Sequence, residues 1–380
     1  MTDTKQGSVA FVRSEMVPDA PPPTSTQGVI GWLRVNMFSS IGNSILTLLS
    51  LYVIYVAISG VYAFTVTNAI WEGTGGAACR VENVGACWPY IGNRLTFFIY
   101  GFYPDTEYWR PNLAFAIGGV LLFLLATPQI PGKVITGALF LIVYPVVTYF
   151  LIYGGSFTGL LQVPTEKWGG LMLTLVVAVT GIVASFPIGV VLALGRRSKM
   201  PLVRSVCVVF IELWRGVPLI TVLFMASVML PLFLPEGTNF DKLMRALVGV
   251  TLFTAAYTAE VVRGGLQAIP KGQFEAADAL GLNYFQATML ITLPQALKIV
   301  IPGIVNNSIS LFKDTTLVSI VGLVDLLGAV RAGTATGTWS APTIPVTGYL
   351  FAAAVFWVFS FAMSRYSQYM ERRLDTGHKS

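Results

Sequence analysis

The chain is poor in charge: Asp, Glu, Lys and Arg make up 11% of its 380 residues, against about 25% in soluble domains. That deficit excludes an ordinary water-soluble fold. Histidine is nearly absent as well. The single one, His378, lies in a polar C-terminal stretch, which excludes a histidine-based hydrolytic triad or zinc site. Three cysteines are too few for a disulfide framework or a cysteine metal centre. There is no G-x-x-x-x-G-K-[ST] phosphate loop, so nucleotide hydrolysis by this chain is not expected. Residues 1–28 lack the apolar core of a signal peptide and contain Pro18, Pro21, Pro22 and Pro23; they read as a disordered cytoplasmic tail.

Long apolar runs fill the space that charge leaves. Hydrophobic residues reach 54% and mean hydropathy is +0.70. The runs are continuous rather than alternating, which selects membrane helices over a β-barrel. The expected fold is an all-α polytopic membrane protein with about 8 transmembrane helices. Their expected extents are residues 44–69, 111–128, 134–153, 169–194, a stretch through Glu212 and Arg215 to Pro235, 246–265, 298–312 and 342–363. A shorter apolar piece, 317–330, carries Gly322 and Gly328 and reads as re-entrant or interfacial.

The net charge of +6 comes from basic residues spread over short loops, which argues for membrane anchoring and against nucleic acid. A cytoplasmic N-terminus puts most of them, including the 196–204 cluster and Arg372–Arg373, on the cytoplasmic side. Both termini are then cytoplasmic. The same orientation places loop 70–110 outside and loop 266–296 inside. Cys79 and Cys87 share the outer loop, so they either pair there or stay as thiols; Cys207 reads as a buried small hydrophobe. The domain reading is a tail at 1–43, an accessory three-helix region at 44–167 without membrane-buried charge, a core at 168–370 and a tail at 371–380. Trp71, Trp88, Trp109, Trp168 and Trp339 fall near expected interfaces and read as an aromatic belt.

Charge inside a span costs a few kcal/mol or more and marks candidates for function. Asn306, Asn307, Lys313, Asp314 and Thr315 stand at the end of one span. They either face a translocation path or fix the chain break before Leu317. Glu212 with Arg215, and Glu260 with Arg263, are three apart on their helices, within pairing reach. Their place near the cytoplasmic boundary favours bracing over substrate contact.

Loop 266–296 is the most informative segment. Pro270-Lys271-Gly272 breaks the preceding helix, and Gln273 to Leu280 should form a short one with Glu275 in its first turn, suited to the helix dipole. Ala276, Ala277 and Ala279 clothe it thinly, as a helix lying in a groove on another protein requires. Gly281 fits the left-handed stop, Leu282 follows, and Asn283 can cap the next helix.

The spacing E-A-A-x3-G-x9-I-x-L-P, from Glu275 to Pro294, resembles the EAA loop of ATP-binding-cassette importer permeases. Glu212-Leu213-Trp214-Arg215-Gly216-Val217-Pro218-Leu219 is similar to the E-x-x-R-G-x-P-L segment of the polar amino-acid permeases. Ala259 to Gly265 leading into Pro270 to Gln273 is similar too, as is Lys313-Asp314-Thr315-Thr316-Leu317 to K-D-T-S-L, with Thr316 in place of Ser. The resemblance covers about residues 168–370. The long N-terminal part resembles the larger subunit of the general L-amino-acid and glutamate/glutamine/aspartate/asparagine importers of Gram-negative bacteria.

That resemblance implies a five-helix type I importer core in a bacterial inner membrane. It implies two copies of a separate ABC ATPase subunit that bind ATP and Mg, a homologous second permease subunit, and a periplasmic amino-acid-binding protein. No cofactor is implied in this chain. Gln273 to Asn283 would be the coupling helix. A gradient-driven transporter explains the spans but not the loop spacing; a non-transporting assembly subunit that binds the ATPase is the other rival.

Overall fold

The computed structural model describes residues 28–127, 129–233, 235 and 240–374. The tail reading for residues 1–27, the C-terminal end from 375 and His378 lie outside the described residues. Seven described helices are long and apolar enough to cross a membrane, or eight if one bent pair is a single span. The all-α polytopic expectation therefore holds.

The chain divides after Asn68. The first unit holds α1 (Gly28–Asn36) and α2 (Ile41–Tyr62), which runs on as a π-helical turn, Ala63–Thr67. Ser40 caps α2 by accepting from the Asn43 amide, 3.2 Å. No residue of α2 is buried, as suits a span surrounded by lipid. Within the expected tail 1–43, residues 28–36 are helical, and α2 begins at Ile41 rather than 44.

The second unit starts with a polar loop that is more ordered than its polarity suggested. Cys79 and Cys87 are joined by a disulfide, after which α3 (Trp88–Tyr100) forms with Pro89 in its first turn, where a missing N–H costs nothing. The loop packs on the far end of the same unit. Arg80 Nε donates to the Ser340 carbonyl (2.8 Å), the Cys87 amide to Thr347 Oγ1 (3.0 Å) and the Tyr90 hydroxyl to the Val330 carbonyl (3.0 Å). Gly101 ends α3 at φ +67°, and a Cβ there would lie 2.4 Å from Gly169 Cα. Only glycine allows both the turn and the approach.

Next come α4 (Trp109–Ala126), then α5 (Lys133–Ala138), continued by a π-helical turn into α6 (Tyr144–Tyr153). The second candidate stretch starts at Asp105 rather than 111, and a charge near its start is buried within the protein. Arg110 is 1% exposed, pairs with Glu107 at 2.7 Å and donates to the Leu161 carbonyl at 2.7 Å. Glu107 is near in the chain but Leu161 is 51 residues away, so a hydropathy reading could not foresee this burial. Helices α4 and α6 also share one apolar cluster with the later spans, through Ala114, Ile152, Trp168 and Met172.

The later spans are α7 (Gly170–Arg196), α8 (Pro201–Gly216), α9 (Leu219–Phe224) and α10 (Lys242–Ala268). The expected single stretch through Glu212 and Arg215 is instead broken at Gly216–Pro218, with a bend of 102°. Proline at the start of α9 cannot donate backward, and residue 217 before it takes extended backbone; its φ is −112° and ψ 134°. Trp168 and Trp339, expected in an aromatic belt, are buried instead. Trp168 donates its indole N–H to the Val163 carbonyl, 3.2 Å.

After α10 come α11 (Lys271–Ala279), α12 (Tyr284–Gln286) and α13 (Leu293–Asp314), the last two joined by a π-helical turn. Helix α13 tightens into a 3-10 turn, Thr315–Val321, so the continuous helical stretch runs Tyr284–Val321 and does not end at 312. The expected re-entrant piece 317–330 does not form as one unit. Gly322, φ +79°, stops the helix, β1 (Val324–Asp325) bridges to Gly169 and Gly170, and α14 (Leu326–Thr334) follows before α15 (Ile344–Leu374).

Asp325 caps α14, accepting from the Gly328 amide at 2.9 Å and the Leu327 amide at 3.2 Å. Burial pushes its carboxyl up to about 6, against those hydrogen bonds. Its proton is held more tightly folded than unfolded, so its contribution to stability falls as pH rises from about 4 through about 6. Asp325→Asn keeps the cap and removes that loss. Heat-denaturation midpoints should show the variant gaining on wild type over this pH range, by about 1–3 kcal/mol at pH 7.

Candidate functional site

The loop between α10 and α13 is a rigid projection. Helix α11 starts at Lys271, two residues before the expected Gln273, because Pro270 supplies an extended entry, φ −58° and ψ 141°. Glu275 consequently sits in the second turn and not the first. It is exposed, as are Gln273, Ala276, Asp278 and Ala279, while Ala277 is buried against the chain's own body. Phe274 packs on a cluster built from Ala193, Ile211, Ala259, Val262, Leu266, Ile269, Leu293 and Ala296. Four helices thus meet beneath α11.

Gly281 has φ +72° with nothing within 4 Å of a built Cβ. Its amide reaches the Asp278 carbonyl at 2.9 Å and that of Leu282 the Ala277 carbonyl at 3.1 Å, the two bonds of a left-handed helix stop. Asn283 and Gln286 then form a reciprocal capping box, 2.9 and 3.1 Å. Gln295 Nε2 donates to Gln273 Oε1 at 3.0 Å and to the Ile291 carbonyl at 2.9 Å, tying α11 to the root of α13.

Three residues here escaped the sequence reading. Leu280, Tyr284 and Phe285 are 76%, 70% and 66% exposed and surround the Gly281 turn. They lack regular spacing with other apolar residues, so periodicity gave no signal; exposed clusters of this kind mark contact surfaces. With Ala276 and Ala279 they make a thin, apolar front on a braced back.

Beneath the loop lies an ion-pair network, and one expected pairing does not form. Glu212 bonds Arg196 at 2.8 Å rather than Arg215. Glu260 is the hub: Arg196 and Arg263 lie at 2.9 Å and Arg215 at 3.4 Å. The pair Glu260–Arg263 is present as expected. Arg215 is drawn to α10 because it also lies over the Tyr257 ring, 5.6 Å to the centroid. The ends of α7, α8 and α10 are therefore fastened by one carboxylate. Arg197 links this region to the loop: it donates to the Leu266 carbonyl at 3.0 Å and sits 5.6 Å over the Phe274 ring.

The polar residues of α13 separate by face. Asn306, Ser310 and Lys313 are exposed at i, i+4 and i+7, one side of the helix. Ser310 was not singled out in the sequence. Asn307 and Asp314 are half-buried, and the Asn307 amide nitrogen has no hydrogen-bond partner among the described residues. Thr315 is fully buried and gives its hydroxyl to the Phe312 carbonyl at 2.8 Å. It therefore stands away from the exposed face.

Comparison with known proteins adds the following. The family described as "Binding-protein-dependent transport system inner membrane component" matches residues 185–376. The "Inner membrane amino-acid ABC transporter permease protein YhdY" of Escherichia coli (strain K12) is 50% identical over 360 residues, 95% of this chain and 97% of its own. The "Glutamate/glutamine/aspartate/asparagine transport system permease protein BztC" of Rhodobacter capsulatus is 40% identical over 453 aligned residues, the whole of both chains. A solved "amino acid ABC transporter with histidines" is 28% identical, covering 54% of this chain and 92% of its own at a TM-score of 0.48.

Proposed function

Because this chain belongs to the family of binding-protein-dependent inner-membrane transport components, we propose that it is a permease subunit of an ATP-driven importer of polar L-amino acids. It would work in a bacterial inner membrane with both termini in the cytoplasm. The observation that carries the reading is loop 269–286: a helix braced from behind by Phe274 and Ala277 and presenting Ala276, Ala279, Leu280, Tyr284 and Phe285 outward. A separate ATPase, in two copies that bind ATP and Mg, seats this front and moves it as nucleotide is bound and hydrolysed. The hydrogen bond from Gln295 to Gln273 then passes the displacement into α13.

Helix α13 supplies the second support. Lys313, Asn306 and Ser310 are exposed on one side of a span, where contact with lipid would cost several kcal/mol for the lysine. A path shared with a homologous second permease removes that cost and gives the amino acid's carboxylate a partner in Lys313. A periplasmic binding protein would deliver the amino acid to the outer face, where the disulfide-bonded loop lies.

The test is uptake of radiolabelled glutamate, glutamine, aspartate and asparagine into proteoliposomes that hold the purified chain with its co-purifying subunits. Uptake is expected only with ATP. Uptake that proceeds on an ion gradient without ATP would replace this reading with a gradient-driven transporter.

A further inference from the structure

Beside the coupling loop lies a recess that the transport reading leaves unused. It has a volume of about 500 Å³ and is lined by Arg196, Arg197, Arg204, Val208, Arg263 and Gln267. Around it stand five guanidinium groups, those lining it and Arg215, and among the described residues the carboxylates paired with them are those of Glu212 and Glu260. The surplus is positive. The Arg204 guanidinium is exposed and has no partner among the described residues.

We propose that this recess binds the phosphate headgroup of an anionic phospholipid of the cytoplasmic leaflet. Placement at that leaflet rests on the orientation proposed above. Three observations favour a lipid over other anions. The recess lies where α7 and α10 end, at the boundary their lengths imply for the bilayer. Helix α8 meets α9 at 102°, so if α9 enters the membrane, α8 lies close to its plane. And α8 exposes Leu202, Val206, Val209 and Leu213 on the side opposite Arg204 and Arg215, at 100° per residue. An in-plane helix with an apolar stripe and a basic face is built for the headgroup boundary. A phosphate held by Arg197 and Arg204 would sit with its acyl chains along that stripe. Through Arg197, which covers Phe274 of α11, the headgroup steadies the coupling helix.

Native mass spectrometry of the purified full-length protein with its co-purifying subunits tests this without ATP or amino acid, so its outcome is independent of whether transport is observed. The probes are phosphatidylglycerol and phosphatidylcholine added to the detergent solution. Wild type should retain phosphatidylglycerol preferentially, and Arg204→Gln should lower retention about fivefold, the loss of about 1 kcal/mol per arginine at an anionic surface. Lys199→Gln, an exposed neighbour outside the recess, should change it less than twofold. Soluble glycerol phosphate at millimolar concentration should not displace the lipid. Equal retention of both lipids, an equal effect of Lys199→Gln, or displacement by glycerol phosphate would each overturn the proposal. So would loss of co-purifying subunits from Arg204→Gln with lipid retention unchanged, which would assign the recess to a protein contact.

Discussion

Gly281→Asp should leave the chain folded and remove at least nine-tenths of ATP-driven uptake. The argument rests on three magnitudes. The left-handed conformation at φ +72° costs a non-glycine residue about 1–2 kcal/mol, and aspartate is among the side chains that tolerate it best. Sterically the change is free, because nothing lies within 4 Å of the new Cβ. The added carboxylate, however, appears between Leu280 and Tyr284, in the apolar front that a partner must cover. Burying an unpaired charge in such a contact costs roughly 2–5 kcal/mol, which is about 30-fold or more in affinity. The interface term therefore exceeds the folding term. Gly281→Asn separates them, since it takes the same backbone conformation without the charge. Asparagine should keep most of the uptake and aspartate should lose at least nine-tenths of it, with both proteins equally monodisperse on size exclusion. Equal loss in both variants would place the effect in the turn itself and remove the contact argument.

How much of this was legible beforehand follows from the range of each interaction. The helix stop at Gly281 and the cap at Asn283 are local: each depends on residues within four positions, so spacing alone predicted them. The spans were legible because apolar length is local too. The failures involve partners far apart in the chain. Glu212 lies three residues from Arg215 yet bonds Arg196, and no pattern within α8 contains that information. Arg110 is buried because Leu161, 51 residues away, offers its carbonyl. The break between α8 and α9 was in view as Gly216-Val217-Pro218, but a hydropathy reading treats continuous apolarity as continuous helix. Trp339 looked like an interfacial tryptophan; it is buried among Tyr90, Cys79 and Cys87, brought there by a loop more than 240 residues earlier. At the site, the alanines of α11 were legible as thin cover for a partner's groove, but Ala277 packs on the chain's own body instead. That braced back and the apolar front at Leu280, Tyr284 and Phe285 were not legible, because burial and exposure are properties of the assembled bundle.

The second large effect is expected at Glu260. Its carboxylate holds Arg196, Arg215 and Arg263 and is 15% exposed, whereas Glu212 shares only Arg196 and is 55% exposed. Exposed ion pairs contribute about 0–1 kcal/mol, but removing one member of a buried set leaves the others uncompensated at about 3–5 kcal/mol. Glu260 lies between these limits and nearer the second, because three guanidinium groups would be left facing one another with only Glu212 nearby. Glu260→Gln should therefore cost about 2–3 kcal/mol and lower the heat-denaturation midpoint of the purified protein by several degrees. Glu212→Gln should lower it by less than about 2 °C. The same substitution acts on function through position: Arg197 follows Arg196 in the chain and carries the contact with Phe274, so splaying the ends of α7 and α10 shifts the base on which α11 rests. ATP hydrolysis without matching uptake is the expected signature of Glu260→Gln, and raised salt, which screens the freed arginines from one another, should recover part of the midpoint. Equal midpoint losses at Glu260 and Glu212 would show that the network has no hub and that the ends of α7, α8 and α10 are held by the apolar cluster around Leu266 and Ala296 alone.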